Sequence, residues 1–341
     1  MNTADEYWQA LERGDRPAAL EAVKRLQAEG QAPLEIMESL VLPAQGRAGE
    51  LWLEGSWSFE QELAATAINE GLVHWLCSFS DAPRPGAALV LVACLRGERH
   101  ELPALVVAEH LTAAGFRGEV VEEPELVAQV RSRRPRAVLL SGTLTSSLGD
   151  QLALVAELRA TGVPVVMGGA AFGGDERRAL ALGATAYAAT IPDAVRLVHE
   201  LPARVEPLPA AEPTAAEVEA EWILGYREEI TPYVAGALVA RHPELRPVDR
   251  HAELAATVDH VIGCLAASLV TGDETIMAEV RDWVVRVLDR RGAAGDLAEE
   301  LFGLLAEPLR GHPVAGVLLA GARSIDAPPE RVPPAECRPG A

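Results

Sequence analysis

The sequence lacks the means for a disulfide framework or a cysteine zinc site. Its four cysteines, Cys77, Cys94, Cys264 and Cys337, are scattered with no CxxC spacing, which disfavours both. It has no uninterrupted apolar run of about 18 residues, so no membrane span is expected. The opening stretch MNTADEYWQALERGD is acidic and amphipathic. It lacks the basic start and apolar centre of a secretory signal, and a cytoplasmic location is the expectation. Basic residues are few, 30 Lys and Arg against 50 Asp and Glu, for a formal charge of −20 and a pI near 4.8. Such a surface is wrong for nucleic acid, which is bound by displacing counterions from phosphate. One small basic run, Arg131-Ser132-Arg133-Arg134, stands before Pro135 and reads as a solvated helix end.

What is present is apolar and patterned. Hydrophobic residues make up 49% of the 341, enough for a sizeable core in two or three domains. Over 1–80, Ala19, Val23 and Leu26, then Leu34, Met37, Leu40 and Val41, then Ala64, Ala67, Ile68, Leu72 and Trp75 recur at helical spacing. Breaks at Gly30–Pro33 and Glu54–Ser56 fit the connections of a small helical bundle. From 84 to 201 short apolar runs (Ala88–Leu95, Gly118–Val121, Ala137–Ser141, Val163–Met167, Ala186–Ala189) alternate with amphipathic stretches. That alternation predicts βαβ units and a parallel sheet buried on both faces, a flavodoxin-like or Rossmann-like α/β domain. Residues 202–213 form a proline-rich linker. Residues 214–325 read as all helical, opening on a capping box of Thr214 and Glu217. The proline-rich tail, 326–341, reads as disordered.

In an open α/β sheet ligands sit outside the carboxyl ends of the strands. The first strand ends in Glu98-Arg99-His100-Glu101-Leu102-Pro103, the third in Ser141-Gly142-Thr143, and the fourth in Gly168-Gly169. A polar histidine on such a turn is expected to face the crevice. Glycines at the neighbouring turn let a large ligand approach the backbone. These residues imply a deep slot for an elongated cofactor without naming it.

Together His100, Ser141-Gly142-Thr143 and Gly168-Gly169 resemble the DxHxxG … SxL … GG signature of methionine synthase and its cobalamin-binding relatives. The resemblance implies that His100 is the lower axial ligand to cobalt, that Glu98 takes the place of the signature's Asp and orients the ring, and that Arg99 lies on the same turn. Ser141, Gly142, Thr143, Gly168 and Gly169 would line the slot for the nucleotide tail, with Tyr187 near its far end. Pro103 replaces the signature's glycine, and Thr143 its leucine. Trp52 and Glu62 match the Trp and Glu of the Wx9EH motif found in the helical cap of cobalamin-sensing photoreceptors, with Leu63 in place of the His. By that resemblance Trp52 packs over an upper ligand, expected to be adenosyl, and the bis-His adduct those photoreceptors form is not available.

A cobalamin domain followed by an all-helical module resembles the photocobilins, photoreceptors that pair cobalamin with a bilin. This implies biliverdin or a related tetrapyrrole in the C-terminal module, its propionates held by Arg or His and its rings by apolar and aromatic walls. The candidates are Tyr226, Arg227, Tyr233, Arg241, His260, Arg281 and Trp283; Cys264 offers a thiol for a covalent link, but a buried, inert thiol is the expectation there. His260 and Cys264, four apart, would share one helix face. The leading expectation is a light sensor that signals to a protein effector by conformational or oligomeric change. The alternative is a corrinoid protein carrying methyl groups between methyltransferases, and a third reading is a scaffold without cobalamin. No nucleophile–base pair stands out, so a sensor or binding protein is expected rather than an enzyme.

Overall fold

The computed structural model of the chain describes residues 2–80, 82–98, 100–208, 212–290 and 297–323. Arg99, residues 209–211 of the linker and the proline-rich tail lie outside them.

The N-terminal bundle comprises α1 (Thr3–Glu12), α2 (Arg16–Ala28), α3 (Pro33–Ile36), α4 (Leu42–Leu53) and α5 (Phe59–Cys77). Capping boxes at Asn2/Asp5 and Ser58/Gln61 start α1 and α5 by satisfying otherwise orphaned amides. A single π turn, Met37–Val41, joins α3 to α4 just before Pro43. Proline offers no N–H for an ordinary helical bond, and the wider turn, closed by Leu42 N–H to Met37 O, accommodates the loss. The bundle core is Tyr7, Leu11, Val23, Met37, Ile68 and Leu72, with Trp8 stacked on Trp57 at 5.2 Å. Leu102, Leu105 and Val106 of the next domain complete it.

The α/β domain holds β1 (Leu89–Cys94), β2 (Arg117–Val120), β3 (Ala137–Ser141), β4 (Val165–Gly168) and β5 (Ala186–Ala188) in a parallel sheet of order β2-β1-β3-β4-β5. Its helices are α6 (Leu102–Ala113), α7 (Glu123–Arg133), α8 (Leu152–Arg159), α9 (Arg177–Ala181) and α10 (Ile191–Glu200). Val90, Val92, Leu139 and Val166 face Ala104, Leu111, Ala194 and Val198 on one side. Leu91, Ala93, Leu140 and Met167 face the other side, which explains the near-continuous apolar runs. The order reverses between β1 and β3, so the ligand crevice falls there. Register brings Cys94 beside Ser141, Ser141 beside Gly168 and Gly168 beside Ala188, one level row of strand ends. The basic run closes α7: Arg131 pairs with Glu157 and Arg133 with Glu119, and Arg134 takes the left-handed cap position.

The C-terminal helices are α11 (Ala215–Gly225), α12 (Arg227–Arg241), α13 (Val248–Thr271), α14 (Thr275–Arg290), α15 (Leu297–Leu305) and α16 (Pro313–Arg323), and the Thr214/Glu217 capping box forms. Helix α13 includes the one stretch among the described residues long and apolar enough to cross a membrane, Arg250–Thr271, and its most apolar window is 72% buried by its neighbours. It is the module's core helix. It packs on the turn Thr145–Asp150 that follows β3. A Cβ on Gly149 would lie 2.7 Å from the Ala266 Cβ, and one on Gly263 would lie 2.6 Å from the Ser146 Cβ. Only residues this small allow the two backbones to meet. The segment after Pro202 is anchored as well, with Val205 N–H donating to Gly162 O at 2.9 Å and Arg159 to Glu206 O at 3.4 Å. Buried side chains of the sheet and of this module form one continuous core.

Candidate functional site

The β1–α6 turn is organised by one carboxylate. The Glu98 side chain is 0% exposed. Its Oε2 accepts the backbone N–H groups of Thr143 (3.0 Å) and Leu144 (2.9 Å), so the turns after β1 and β3 are tied together. Its Oε1 accepts the His100 N–H at 3.2 Å and meets His100 Nδ1. Burial pushes the Glu98 carboxyl up, but the bonds from His100, Leu144 and Thr143 outweigh it and hold it below the ordinary carboxylate value. The Glu98 hydrogen bond in turn raises the His100 pKa against the opposing effect of burial. With Nδ1 committed, the ring offers Nε2 to a ligand, and a carboxylate behind it orients the ring and strengthens it as a donor.

Sequence reasoning missed the other brace of this turn. Gln151 is wholly buried. Its Oε1 accepts the Arg96 N–H at 3.1 Å, and its Nε2 donates to Arg96 O (3.1 Å) and Ser147 O (2.6 Å). The Arg96 guanidinium pairs with Glu123 at 2.9 Å. A glutamine 55 residues downstream of its partner carries no local signal of that role.

The strand-end glycines are required by close packing. A Cβ at Gly169 (φ +110°) would fall 2.3 Å from Gly142 O, one at Gly168 would fall 2.6 Å from Ala188 O, and one at Gly142 would fall 2.4 Å from Leu95 Cδ1. The space these residues leave is filled by the neighbouring chain, and they let the strand ends close up. Tyr187 lies beyond them on β5, its OH donating to Gly173 O at 3.0 Å. On the cap, Glu62 lies within electrostatic reach of His100, as does Glu70 of the same helix. Trp52 lies against Trp283 of the C-terminal module, ring centres 6.4 Å apart.

The structure does not gather the bilin candidates into a site. Arg227 is paired bidentately with Asp259, and Arg241 lies 3.5 Å from Glu300, so these two cations are already neutralised within the module. Tyr226 and Tyr233 are about half exposed, the first stacked on Trp222 and the second bonded to Glu307 at 2.7 Å. His260 sits 4.7 Å from the Trp283 ring and 3.5 Å from Cys264 Sγ. Burial pulls the His260 pKa down to about 4 and pushes the Cys264 thiol up to about 12. The first is therefore uncharged at neutral pH and the second unreactive, which suits neither a propionate nor a covalent link. Arg281 lies on α14.

Among the described residues no group of three or more His, Cys, Asp or Glu could hold a bare metal ion. One oriented imidazole fits a metal that arrives with its own equatorial ligands, as cobalt does in a corrin. A hollow of about 510 Å³ lies at the opposite edge of the sheet, lined by Val130, Arg131, Arg134, Glu157, Thr161 and Arg204 among others. It has no part in this arrangement.

Residues 3–76 and 88–199 each match a family described as a B12 binding domain. The chain is 24% identical over 195 residues to trimethylamine corrinoid protein 2 of Methanosarcina mazei, covering 54% of this chain and 88% of that protein. It is 26% identical over 201 residues to the trimethylamine corrinoid protein of Methanosarcina barkeri, covering 56% and 92%. Among solved structures it is similar to the monomethylamine corrinoid protein of Methanosarcina barkeri, with 19% identity, a TM-score of 0.48, and 57% and 95% of the two chains covered. The helical cap and the sheet are thus B12-binding domains, and a corrinoid is the cofactor they bind. The light-sensing expectation is overturned. The curated relatives are trimethylamine corrinoid proteins, and neither the adenosyl form nor a bilin finds support in them.

Proposed function

We propose that this chain is a corrinoid protein that carries a methyl group between the methyltransferases of one system. The observation that carries the reading is a single oriented imidazole, His100 backed by the buried Glu98, at the switch point of the sheet and across from the helical cap. The pair of domains bearing it is the pair matched by the trimethylamine corrinoid proteins. When bound, the corrinoid supplies a cobalt centre able to accept and release a methyl group.

The chain's own residues do the rest. His100 Nε2 would hold the cobalt of the corrinoid. Glu98 keeps the ring in place through Nδ1, and the proton between them lets the pair adjust its basicity as the demand on Nε2 changes. The amides of Thr143 and Leu144 hold Glu98, so the β3 turn reports on the same bond. In this reading transfer chemistry falls to partner proteins; the thiol beside His100, Cys94, whose Sγ lies 3.6 Å from His100 O, is pushed up to about 12 by burial and is a poor nucleophile. The names of the relatives point to methylated amines as the methyl source. The family matches stop at residue 199, before the C-terminal helices, so the module is an addition to the carrier.

The test is electron paramagnetic resonance of the protein loaded with cob(II)alamin. With the protein's histidines labelled with ¹⁵N, the axial nitrogen splitting should be the doublet of a ¹⁵N imidazole; His100→Ala should abolish that doublet, leaving at most the ¹⁴N triplet of the cofactor's own base, while Glu98→Gln leaves it in place. A purified methylated-amine methyltransferase should then methylate the bound, reduced cofactor. A loaded protein that no methyltransferase of this class can methylate would overturn the carrier reading.

A further inference from the structure

A helical bundle is easiest to stabilise with an apolar core, yet a chain of five polar side chains crosses this one. The Tyr7 OH on α1 donates to Asn69 Oδ1 on α5 at 2.6 Å. Asn69 Nδ2 donates to Gln45 Oε1 on α4 at 2.7 Å. Gln45 Nε2 donates to Thr66 Oγ1 at 2.7 Å and, more weakly, to Glu62 Oε1 at 3.4 Å. Thr66 Oγ1 donates to the same Glu62 oxygen at 2.8 Å. Tyr7 and Asn69 are 0% exposed, where an unmade bond costs on the order of 1–3 kcal/mol.

Three features make this more than a satisfied core. All of these bonds run one way, each group donating toward Glu62, and bonds aligned in series polarise one another. Glu62, Thr66 and Asn69 are spaced four and three apart, so one face of α5 carries them. Both bonds to Glu62 land on Oε1, which leaves Oε2 for another donor. Glu62 and Glu70 of this helix are within electrostatic reach of His100. Helix α5 packs on α6, the helix that follows the His100 turn, and Leu102, Leu105 and Val106 of α6 enter the bundle core, so a flat macrocycle held by His100 would have α5 on its cap side.

We propose that Tyr7, Asn69, Gln45 and Thr66 form a positioning relay that fixes the Glu62 carboxylate on the cap side of the corrinoid, as hydrogen-bond acceptor for a protic ligand there. The inference rests on corrinoid binding at His100 and is independent of methyl carriage. A fixed anion on that side favours water over hydroxide or another anion as the ligand opposite His100. The other charged groups here, Glu70 and Glu98 around His100 and Glu101 and His74 around Glu70, are common to every variant below, so differences report on Glu62.

The experiment is a pH titration of the visible spectrum of the protein loaded with aquacobalamin. Glu62→Gln should lower the midpoint of the aqua-to-hydroxo change by about one pH unit, a tenfold shift, as expected for loss of a neighbouring anion. Thr66→Val and Gln45→Leu should each lower it by about half as much, and Tyr7→Phe by less, because a carboxylate no longer held in place is aimed at the ligand for less of the time; a rise instead would show that the relay acts on the basicity of Glu62 and not on its position. An unchanged midpoint in Glu62→Gln would show that Glu62 is not on that side. A shift in Glu62→Gln with none in the relay variants would reduce the relay to a structural role. Thr66→Val and Tyr7→Phe are near-isosteric and decide the matter if Gln45→Leu does not fold. The His100 nitrogen splitting should persist in all four variants, showing that the cofactor is still seated. Shifts of this pattern in a protein that no methyltransferase can methylate would sink the carrier reading and leave the relay standing.

Discussion

At the scale of single residues, Glu98 is a buried carboxylate that accepts, among the described residues, the backbone amides of His100, Thr143 and Leu144 and meets His100 Nδ1. Replacing it with Gln keeps an acceptor but removes the charge that gathers both turns and orients His100. Corrinoid affinity should fall about 10–100-fold, the usual consequence of losing a ligand's supporting carboxylate, as measured by spectral titration. His260 is a second case. Its folded pKa, about 4, is depressed below the ordinary histidine value of 6.5 by burial. Between those values the unfolded chain binds the proton and the folded one does not, so stability is full above pH 6.5 and falls as pH drops toward 4. His260→Leu should flatten that part of the curve of urea midpoint against pH, and an unchanged slope would show that His260 is not the group responsible.

At the scale of elements, the turn after β4 depends on a conformation only glycine takes readily. Gly169 has φ +110°, and any Cβ there meets the Gly142 carbonyl. Gly169→Ala should destabilise the protein by about 3 kcal/mol or more, combining backbone strain with the clash. Gly174→Ala, five residues on, with ordinary φ and open space around it, should be nearly neutral. Equal losses at the two positions, read from urea unfolding, would refute this account of the turn. Legibility at this scale was uneven. Buried parallel strands demand unbroken apolar runs, so β1, β3 and β4 could be read directly. Capping is a three-residue affair, so Thr214 and Glu217 could be read as well. The Tyr7–Asn69–Gln45 chain could not, because its members lie 62 and 24 residues apart and meet only when three helices pack.

At the scale of the whole molecule, the α/β domain and the C-terminal helices behave as one body. Their cores merge, Gly149 and Gly263 bring backbones into contact, and Arg178 bridges them. The Arg178 guanidinium bonds Asp273 at 2.8 Å and Glu279 at 2.7 Å and also donates to Ala171 O, on the turn that follows Gly169. Side chains of Arg178 and Asp273 are only 4% and 6% exposed. Arg178→Leu leaves a buried carboxylate unpaired and should cost about 3–5 kcal/mol in urea unfolding. Adding Asp273→Asn, which removes the charge while keeping an acceptor for the Thr275 N–H, should recover part of it. A double variant no better than the single would mean the charge is not the cause. The module also reaches the cap, through Trp283 against Trp52 and Arg290 beside Gly55, so any opening of the cap has to part these contacts.

By itself the sequence determined the order of helical, α/β and helical segments, the turn bearing His100, and the association of that turn with Ser141 and Gly168-Gly169. These follow from hydrophobic period and from strand ends that share one sheet edge, and both are local or topological. The tertiary structure decided which charges are free. Arg227 and Arg241 looked like anion binders in the sequence, but Asp259 and Glu300 neutralise them, because a charge near a folded surface takes the nearest partner whatever its distance along the chain. It also decided what the strand-end glycines lie against: backbone carbonyls at Gly168 and Gly169, and the Leu95 side chain at Gly142. Close packing is a property of the assembled chain, and no single stretch of sequence contains it.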